Sequence, residues 1–204
     1  SQIVVGVDLA ISESDKADCT AMLILDIRGT GEKMRMYIRP HPINERLSFT
    51  ATVNTLKELN TANHSPKFYI EQTAYQAAAV QVLKADGLDV EGVTPKSDKR
   101  SRLSMISDKI ERGVILFPKE GAETLITQLV GYGIEKHDDL MDALTMAVLE
   151  HMRTDSNLGT VRFVDARTIF GPDYRRRSSS SRSSRSYWSR RLDDFNEATS
   201  GSWG

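Results

Sequence analysis

The order of the apolar segments constrains the fold of this chain most strongly. Three strand-like runs follow one another near the amino-terminal end: Ile3–Ala10, Thr20–Ile27 and Lys33–Arg39. The first two are short and rich in apolar residues, and the third alternates between polar and apolar positions; both patterns are typical of strands. Because the connections are too short to hold a crossover helix, we expect an antiparallel meander.

Helix-like and strand-like segments alternate after this meander, which indicates a mixed sheet with helices on its faces. We therefore predict an α/β fold in which the antiparallel three-strand meander is extended by parallel strands, an order that fits the ribonuclease H-like fold. The predicted elements are a helix capped by Asn44 and ending near Asn60, strand Lys67–Glu71, helix Ala74–Ala85, strand Leu88–Val93, helix Ser97–Arg112, the short apolar run Val114–Phe117, and helices Gly121–Val130 and Asp138–Met152.

Composition divides the chain into three parts. Residues 1–152 form the predicted ribonuclease H-like domain, and residues 153–174 are an extension with only short apolar patches. Residues 175–204 are rich in serine and arginine, with seven arginines and no acid between 175 and 191. Such a tail cannot bury enough apolar surface to offset its ordering entropy, so we expect it to be disordered when free. Its arginines suit nonspecific contacts to DNA phosphates, and a solubilising tail is the alternative.

The placement of acids is the most informative chemical feature. Asp8 lies inside an apolar strand, where a lone carboxylate is costly without a partner, and Glu71 ends another apolar strand. Asp138, Asp139 and Asp142 open the last helix, with spacings that place them on one side of it. Taken singly, Asp8 can be a structural carboxylate, Glu71 a surface acid and Asp138 a helix-capping acid. Together they predict that acids from two strands and one helix converge.

Converging carboxylates repel one another unless a hard cation neutralises them, and oxygen ligands favour Mg²⁺ or Mn²⁺. Two such ions about 4 Å apart can activate a water and stabilise the leaving oxygen of a phosphodiester. The sequence therefore predicts a two-ion hydrolytic site. Its candidate catalytic and metal-binding residues are Asp8, Glu71, Asp139 and Asp142, with Asp138 and His137 as further candidates.

A basic segment lies before and within the helix predicted at Ser97–Arg112. Its cations are Lys96, Lys99, Arg100 and Arg102, with Asp98 as the only acid among them. We predict that they bind DNA phosphates beside the acids, and an ordinary solvated helix face is the alternative.

Four motifs together resemble the nuclease domain of the large terminase subunit of tailed bacteriophages. They are VVGVDLA with the following DCTAMLIL, FYIEQ, VTPKSDKRSRLSMISDKIERGVILFP and HDDLMDALTMAV, and the resemblance covers roughly residues 3–152. It implies a ribonuclease H-like fold and two-metal DNA cleavage, with Asp8 as the first metal-binding acid, Glu71 as the second and the third within Asp138–Asp142. Resolvases of the same fold place an acid or a histidine three residues before the final Asp, which favours Asp139 and Asp142.

The resemblance implies an endonuclease that cuts concatemeric double-stranded DNA when viral packaging begins and ends. The implied partners are that DNA, the terminase ATPase domain, the small terminase subunit and the portal protein, to which the tail is an alternative tether. The sequence contains no GxxxxGK[ST] phosphate loop, so we expect neither an ATP site nor the motor in this chain. A junction resolvase or ribonuclease H of the same fold, and a non-catalytic DNA-binding assembly module, are the alternative functions.

Other features of the sequence indicate the compartment in which the protein works. No apolar run approaches the roughly 20 residues that a membrane span needs, and no secretory signal precedes the first strand. Cys19 is the only cysteine, so the expected compartment is the reducing cytoplasm, which the resemblance implies to be that of an infected bacterial host. The sequence starts without Met, and we expect it to be an isolated carboxyl-terminal nuclease domain.

Overall fold

The computed structural model describes residues 1–10, 19–72, 76–135 and 137–156. The predicted tail and all of the predicted extension after residue 156 lie outside these ranges. The described elements are strands β1 (Gln2–Asp8), β2 (Thr20–Arg28), β3 (Arg35–Ile38), β4 (Ile43–Glu45), β5 (Lys67–Glu71), β6 (Val90–Val93) and β7 (Ile115–Leu116), and helices α1 (Phe49–Ala62), α2 (Gln76–Ala85), α3 (Lys99–Glu111), α4 (Glu123–Val130) and α5 (Asp139–Ser156).

The strands form one mixed sheet in the order β6-β5-β1-β2-β3-β7, with β4 also paired to β2. Strands β1, β2 and β3 pair antiparallel, as the meander predicts. Strands β5 and β6 extend the sheet in parallel beyond β1, and β7 pairs in parallel with β3. Strand β1 is therefore central and lies beside β5, so the carboxyl ends of these two parallel strands meet at one edge of the sheet.

Helices cover both faces of this sheet, and each face has its own apolar core. Val5 and Val7 of β1 point towards α1 and α2, where they pack with buried residues such as Leu56 and Leu83. The opposite face packs against α3, α4 and α5. Because side chains alternate along a strand, Asp8 lies on the same face as Val4, the face that α5 covers.

Gly6 sets how closely α5 approaches β1. A Cβ atom at this position would lie 2.2 Å from the carbonyl oxygen of Ala143 and 2.8 Å from Cβ of Ala147, both in α5. The missing side chain of Gly6 and the two small alanines therefore allow backbone-to-backbone packing. This contact brings the first turns of α5 next to the end of β1.

The segment around Asn44 differs from its prediction as a helix cap. Ile43–Glu45 forms β4, which pairs with Thr20–Met22 of β2. Strand β4 therefore lies on the same side of β2 as β3, whose pairing with β2 ends at Ile38. The helix begins later, where Ser48 Oγ accepts a hydrogen bond from Ala51 N at 3.1 Å. A cross-strand pairing with β2 thus outweighs the local capping preference of Asn44.

Several other bounds differ from the prediction by a few residues, most clearly at the third strand and the last helix. The third strand begins at Arg35 because Gly31–Lys33 forms a short 3₁₀ turn before it. Helix α5 runs to Ser156, four residues past the predicted end at Met152. None of the helices within the described ranges is long and apolar enough to span a membrane.

Candidate active site

Asp8 and Glu71 end two neighbouring parallel strands. Val7 of β1 pairs with Ile70 of β5, so the residues that follow them lie side by side on the face of the sheet that α5 covers. Leu9 is fixed directly after Asp8, because its carbonyl oxygen accepts a hydrogen bond from Nε2 of the buried Gln76 at 2.8 Å. The sheet therefore presents two carboxylates at one edge.

Helix α5 adds further acids to this place. Asp139 and Asp142 lie in its first turn, and each is largely shielded from solvent: Asp139 is 6% exposed and the Asp142 side chain 12%. Asp138 immediately precedes the helix, and its side chain is more open. The structure thus brings together acids from β1, β5 and α5, as the sequence predicts. Their catalytic role stays a prediction.

The pKa values record how strongly these acids interact. Burial, followed by Glu71, Asp142 and Asp139, raises the pKa of Asp8 to about 8, while Lys99 opposes the rise. Burial also raises the pKa of Glu71, together with Asp142, against the opposing effect of Arg102, Lys99 and a hydrogen bond from Asp8. Without further cations, the cluster favours a bound proton at Asp8.

Two of the predicted DNA-binding cations contact these acids. Lys99 Nζ lies 2.6 Å from Asp138 Oδ2 and 2.6 Å from Asp142 Oδ2. Arg102 Nη2 lies 3.1 Å from Asp142 Oδ1, and its Nη1 donates to the carbonyl oxygen of Ser97 at 3.0 Å. Burial lowers the pKa of Lys99, but its hydrogen bonds to Asp138 and Asp142 raise it overall.

The other two predicted cations face solvent. Lys96 precedes α3 and Arg100 lies in its first turn, and both residues are exposed. The predicted basic segment therefore divides into an inner pair, Lys99 and Arg102, and an outer pair, Lys96 and Arg100. The inner pair contacts the acids, and the outer pair is exposed to solvent. The half-buried His137 lies just before Asp138, and its role stays a prediction.

The start of α5 is capped by a residue that the sequence reasoning missed. Gln128 Oε1, from the last turns of α4, accepts hydrogen bonds from the backbone N–H groups of Leu140 at 2.9 Å and Met141 at 3.2 Å. These are N–H groups that a helix leaves without an intrahelical partner. The side chain of Asp138 instead pairs with Lys99, so the capping role considered for Asp138 belongs to Gln128. No local pattern marks Gln128, because its partners lie in another helix.

The donor set fits a hard divalent cation. It supplies carboxylate oxygens from three elements, and their repulsion adds to the effect of burial in raising the pKa of Asp8. Within the described ranges, however, no group of three or more His, Cys, Asp or Glu side chains is already arranged to hold a metal ion. The Lys99 ammonium contacts Asp142 in this arrangement, so an ion requires at least a local side-chain change.

Comparison with known proteins gives the fold. No protein-family model and no curated protein matches the sequence. Among solved structures, the large terminase nuclease of thermophilic phage G20c with bound magnesium is 19% identical, with a TM-score of 0.57 over 73% of this chain and 81% of that one. The large terminase nuclease domain of bacteriophage SPP1 with bound Mn is 15% identical, with a TM-score of 0.52 over 74% of this chain and 88% of that one.

A third solved structure agrees with these two. The large terminase nuclease domain of Thermus phage P74-26 is 18% identical, with a TM-score of 0.51 over 72% of this chain and 77% of that one. The described residues therefore have the fold of large terminase nuclease domains, and the predicted ribonuclease H-like mixed sheet is confirmed.

Proposed function

We propose that this chain is a divalent-metal-dependent endodeoxyribonuclease, the nuclease domain of a viral DNA-packaging terminase. One observation carries the proposal: acids from β5 and α5 lie close enough to Asp8 of β1 to add to the effect of burial, and together they raise its pKa to about 8. The shared fold supports it, because solved structures with this fold are terminase nucleases, including forms with bound magnesium and Mn.

Each part of the site has its own task in this proposal. Asp8, Glu71, Asp139 and Asp142 hold the divalent ions, Mg²⁺ or Mn²⁺, with two ions as the proposed number. When bound, such ions supply an activated water and stabilise the leaving oxygen of a phosphodiester. Arg102 and Gln128 keep Asp142 and the start of α5 in position.

The outer cations face the substrate. Lys96 and Arg100 are exposed at the start of α3, the helix whose inner cations contact the acids. We propose that they bind phosphates of double-stranded DNA and so place the backbone over the acids. The proposed substrate is concatemeric viral DNA in the cytoplasm of a bacterial host. The proposed partners are the terminase ATPase domain, the small subunit and the portal protein.

The proposal is tested by incubating the protein with supercoiled plasmid. We expect nicked and linear products with Mg²⁺ or Mn²⁺, none with EDTA, and no effect of ATP. Asp8→Asn should abolish cutting, because it removes a carboxylate from the cluster. Asp86→Asn is the matched control, since Asp86 lies beyond the end of α2 and pairs with Lys57 at the surface.

Three results would contradict the proposal. Cutting that persists in EDTA would rule out the divalent ion. Binding of duplex DNA without nicking under either metal would instead favour the alternative of a non-catalytic assembly module. A strong preference for four-way junctions or for RNA–DNA hybrids over plasmid would favour the resolvase or ribonuclease H alternative.

A further inference from the structure

Asp142 has both carboxylate oxygens engaged by cations of α3. Lys99 Nζ lies 2.6 Å from Oδ2, and Arg102 Nη2 lies 3.1 Å from Oδ1. The same ammonium lies 2.6 Å from Asp138 Oδ2. An ion that uses Asp142 as a ligand therefore has to compete with one of these two cations.

The two cations differ in how firmly they are held. The Arg102 side chain is 14% exposed, and its guanidinium also donates to the carbonyl oxygen of Ser97 at 3.0 Å. The Lys99 side chain is 33% exposed and ends in a compact charge on a flexible four-carbon stem. Lys99 can thus leave Asp142 for solvent or stay with the more open Asp138, whereas Arg102 is less exposed and is also held by Ser97.

We propose that Lys99 is an internal counter-ion of the metal-free acid cluster, which an incoming divalent ion displaces from Asp142. This inference rests on the proposed function, since it assumes that Asp142 is a ligand of that ion. It changes the interpretation of Lys99, which the sequence predicts to be a DNA-phosphate contact. Before metal binds, its contacts are the acids themselves.

Electrostatics gives the direction of the effect. Several carboxylates that share one site repel one another, and the ammonium offsets part of this repulsion while the ion is absent. A divalent ion offsets it better and also repels the nearby ammonium. Removing the charge of Lys99 should therefore destabilise the metal-free protein and strengthen metal binding. If Lys99 only tied α3 to α5, its removal would not strengthen metal binding.

The test uses the full chain and three substitutions. Lys99→Met keeps much of the side-chain length without the charge, and Lys99→Arg keeps the charge. Lys84→Met is the matched control, because Lys84 is an exposed lysine of α2, which packs on the other face of the sheet. Mn²⁺ affinity is measured by titration calorimetry after EDTA stripping, and melting temperature with EDTA and with saturating Mn²⁺.

We expect Lys99→Met to bind Mn²⁺ about ten-fold more tightly than the wild type, as expected for the loss of one competing charge contact. Its melting temperature should fall in EDTA and return close to the wild-type value in saturating Mn²⁺. Lys84→Met and Lys99→Arg should both bind Mn²⁺ with affinity near that of the wild type.

The contrary results are distinct. Equal or weaker Mn²⁺ binding by Lys99→Met, with wild-type binding intact, would overturn the inference and leave the proposed function standing. A melting temperature that falls equally with EDTA and with Mn²⁺ would show a purely structural tie between α3 and α5. If neither the wild type nor Lys99→Met bound Mn²⁺ saturably, the proposed function would be overturned, and the inference with it.

Discussion

Asp8 makes the stability of the metal-free protein depend on pH. Its pKa in the folded protein is about 8, raised from the ordinary value of 3.8 by burial and then by Glu71, Asp142 and Asp139. The folded state therefore binds this proton more tightly than the unfolded state does. The resulting stabilisation is fully present below about pH 4 and is lost as the pH rises towards about 8.

Asp8→Asn should remove this dependence, because the amide cannot ionise. In EDTA, we expect its melting temperature to exceed that of the wild type by an amount that grows between pH 5 and pH 8.5. For a chain of this size, each kcal/mol gained in the free energy of unfolding raises the melting temperature by roughly 3 °C. The check is a series of thermal melts across that range. A constant difference at every pH would mean that Asp8 does not titrate there.

Asp142 and Asp138 should differ in their effect on cleavage. Asp142 contacts both Lys99 and Arg102 and lies among the buried acids, whereas the more open side chain of Asp138 contacts one cation of the described residues, Lys99. We expect Asp142→Ala to lower the cleavage rate by more than about 100-fold, and Asp138→Ala by less than about 10-fold. Single-turnover cleavage of a defined duplex measures both. The reverse order would make Asp138 the third metal-binding acid.

At the scale of elements, the approach of α5 to β1 decides whether the acids meet. Gly6 lets the helix backbone at Ala143 lie directly on the strand, and Gln128 of α4 caps the end of the helix that carries Asp139 and Asp142. Strand β1 and helix α4 thus fix the start of α5. The geometry of the acid cluster depends on residues that carry no charge.

Gln128→Leu tests the cap. It would leave the N–H groups of Leu140 and Met141 without their acceptor, and Gln128 itself is buried. We expect a loss of about 1–3 kcal/mol in the free energy of unfolding, measured by urea denaturation. Gln81→Leu, an exposed position on α2, is the matched control and should stay within about 0.5 kcal/mol of the wild type. Equal losses would exclude a specific capping role.

Local patterns made part of this structure predictable. Strand β1 and strand β5 are short apolar runs, and each ends with its acid, so Asp8 and Glu71 stand out in the sequence. Strand β4 and the cap by Gln128 have no such local pattern, since each depends on a partner that lies far away along the chain. The contacts of Lys99 and Arg102 with Asp142 were missed for the same reason.

At the scale of the whole molecule, charge is divided unevenly along the chain. Residues 1–174 contain 20 basic and 25 acidic side chains, whereas residues 175–191 contain seven arginines and no acid. The net negative charge of residues 1–174 disfavours DNA binding, whereas the exposed Lys96 and Arg100 supply positive charge beside the acids. The tail, which falls outside the described residues, supplies an opposite charge by composition alone.

Deleting residues 175–204 should weaken DNA binding without slowing the chemical step. In a plot of log affinity against log salt concentration, the slope should become shallower by about 0.9 for each lost phosphate contact to duplex DNA. The single-turnover rate at saturating DNA should stay near that of the full chain, because no predicted metal-binding acid lies in the tail. DNA titrations at two salt concentrations give both quantities. A reduced saturated rate would place part of the chemistry in the tail.

The most direct test of the central claim is a crystal structure of this chain soaked in Mn²⁺, with anomalous diffraction to locate the ion. The claim is that acids from β1, β5 and α5 together form a single site for divalent ions. We predict anomalous peaks within coordination distance of Asp8 and Asp142, with Lys99 Nζ withdrawn from Asp142. Crystals that bind Mn²⁺ only elsewhere, at a concentration that supports cleavage, would contradict it.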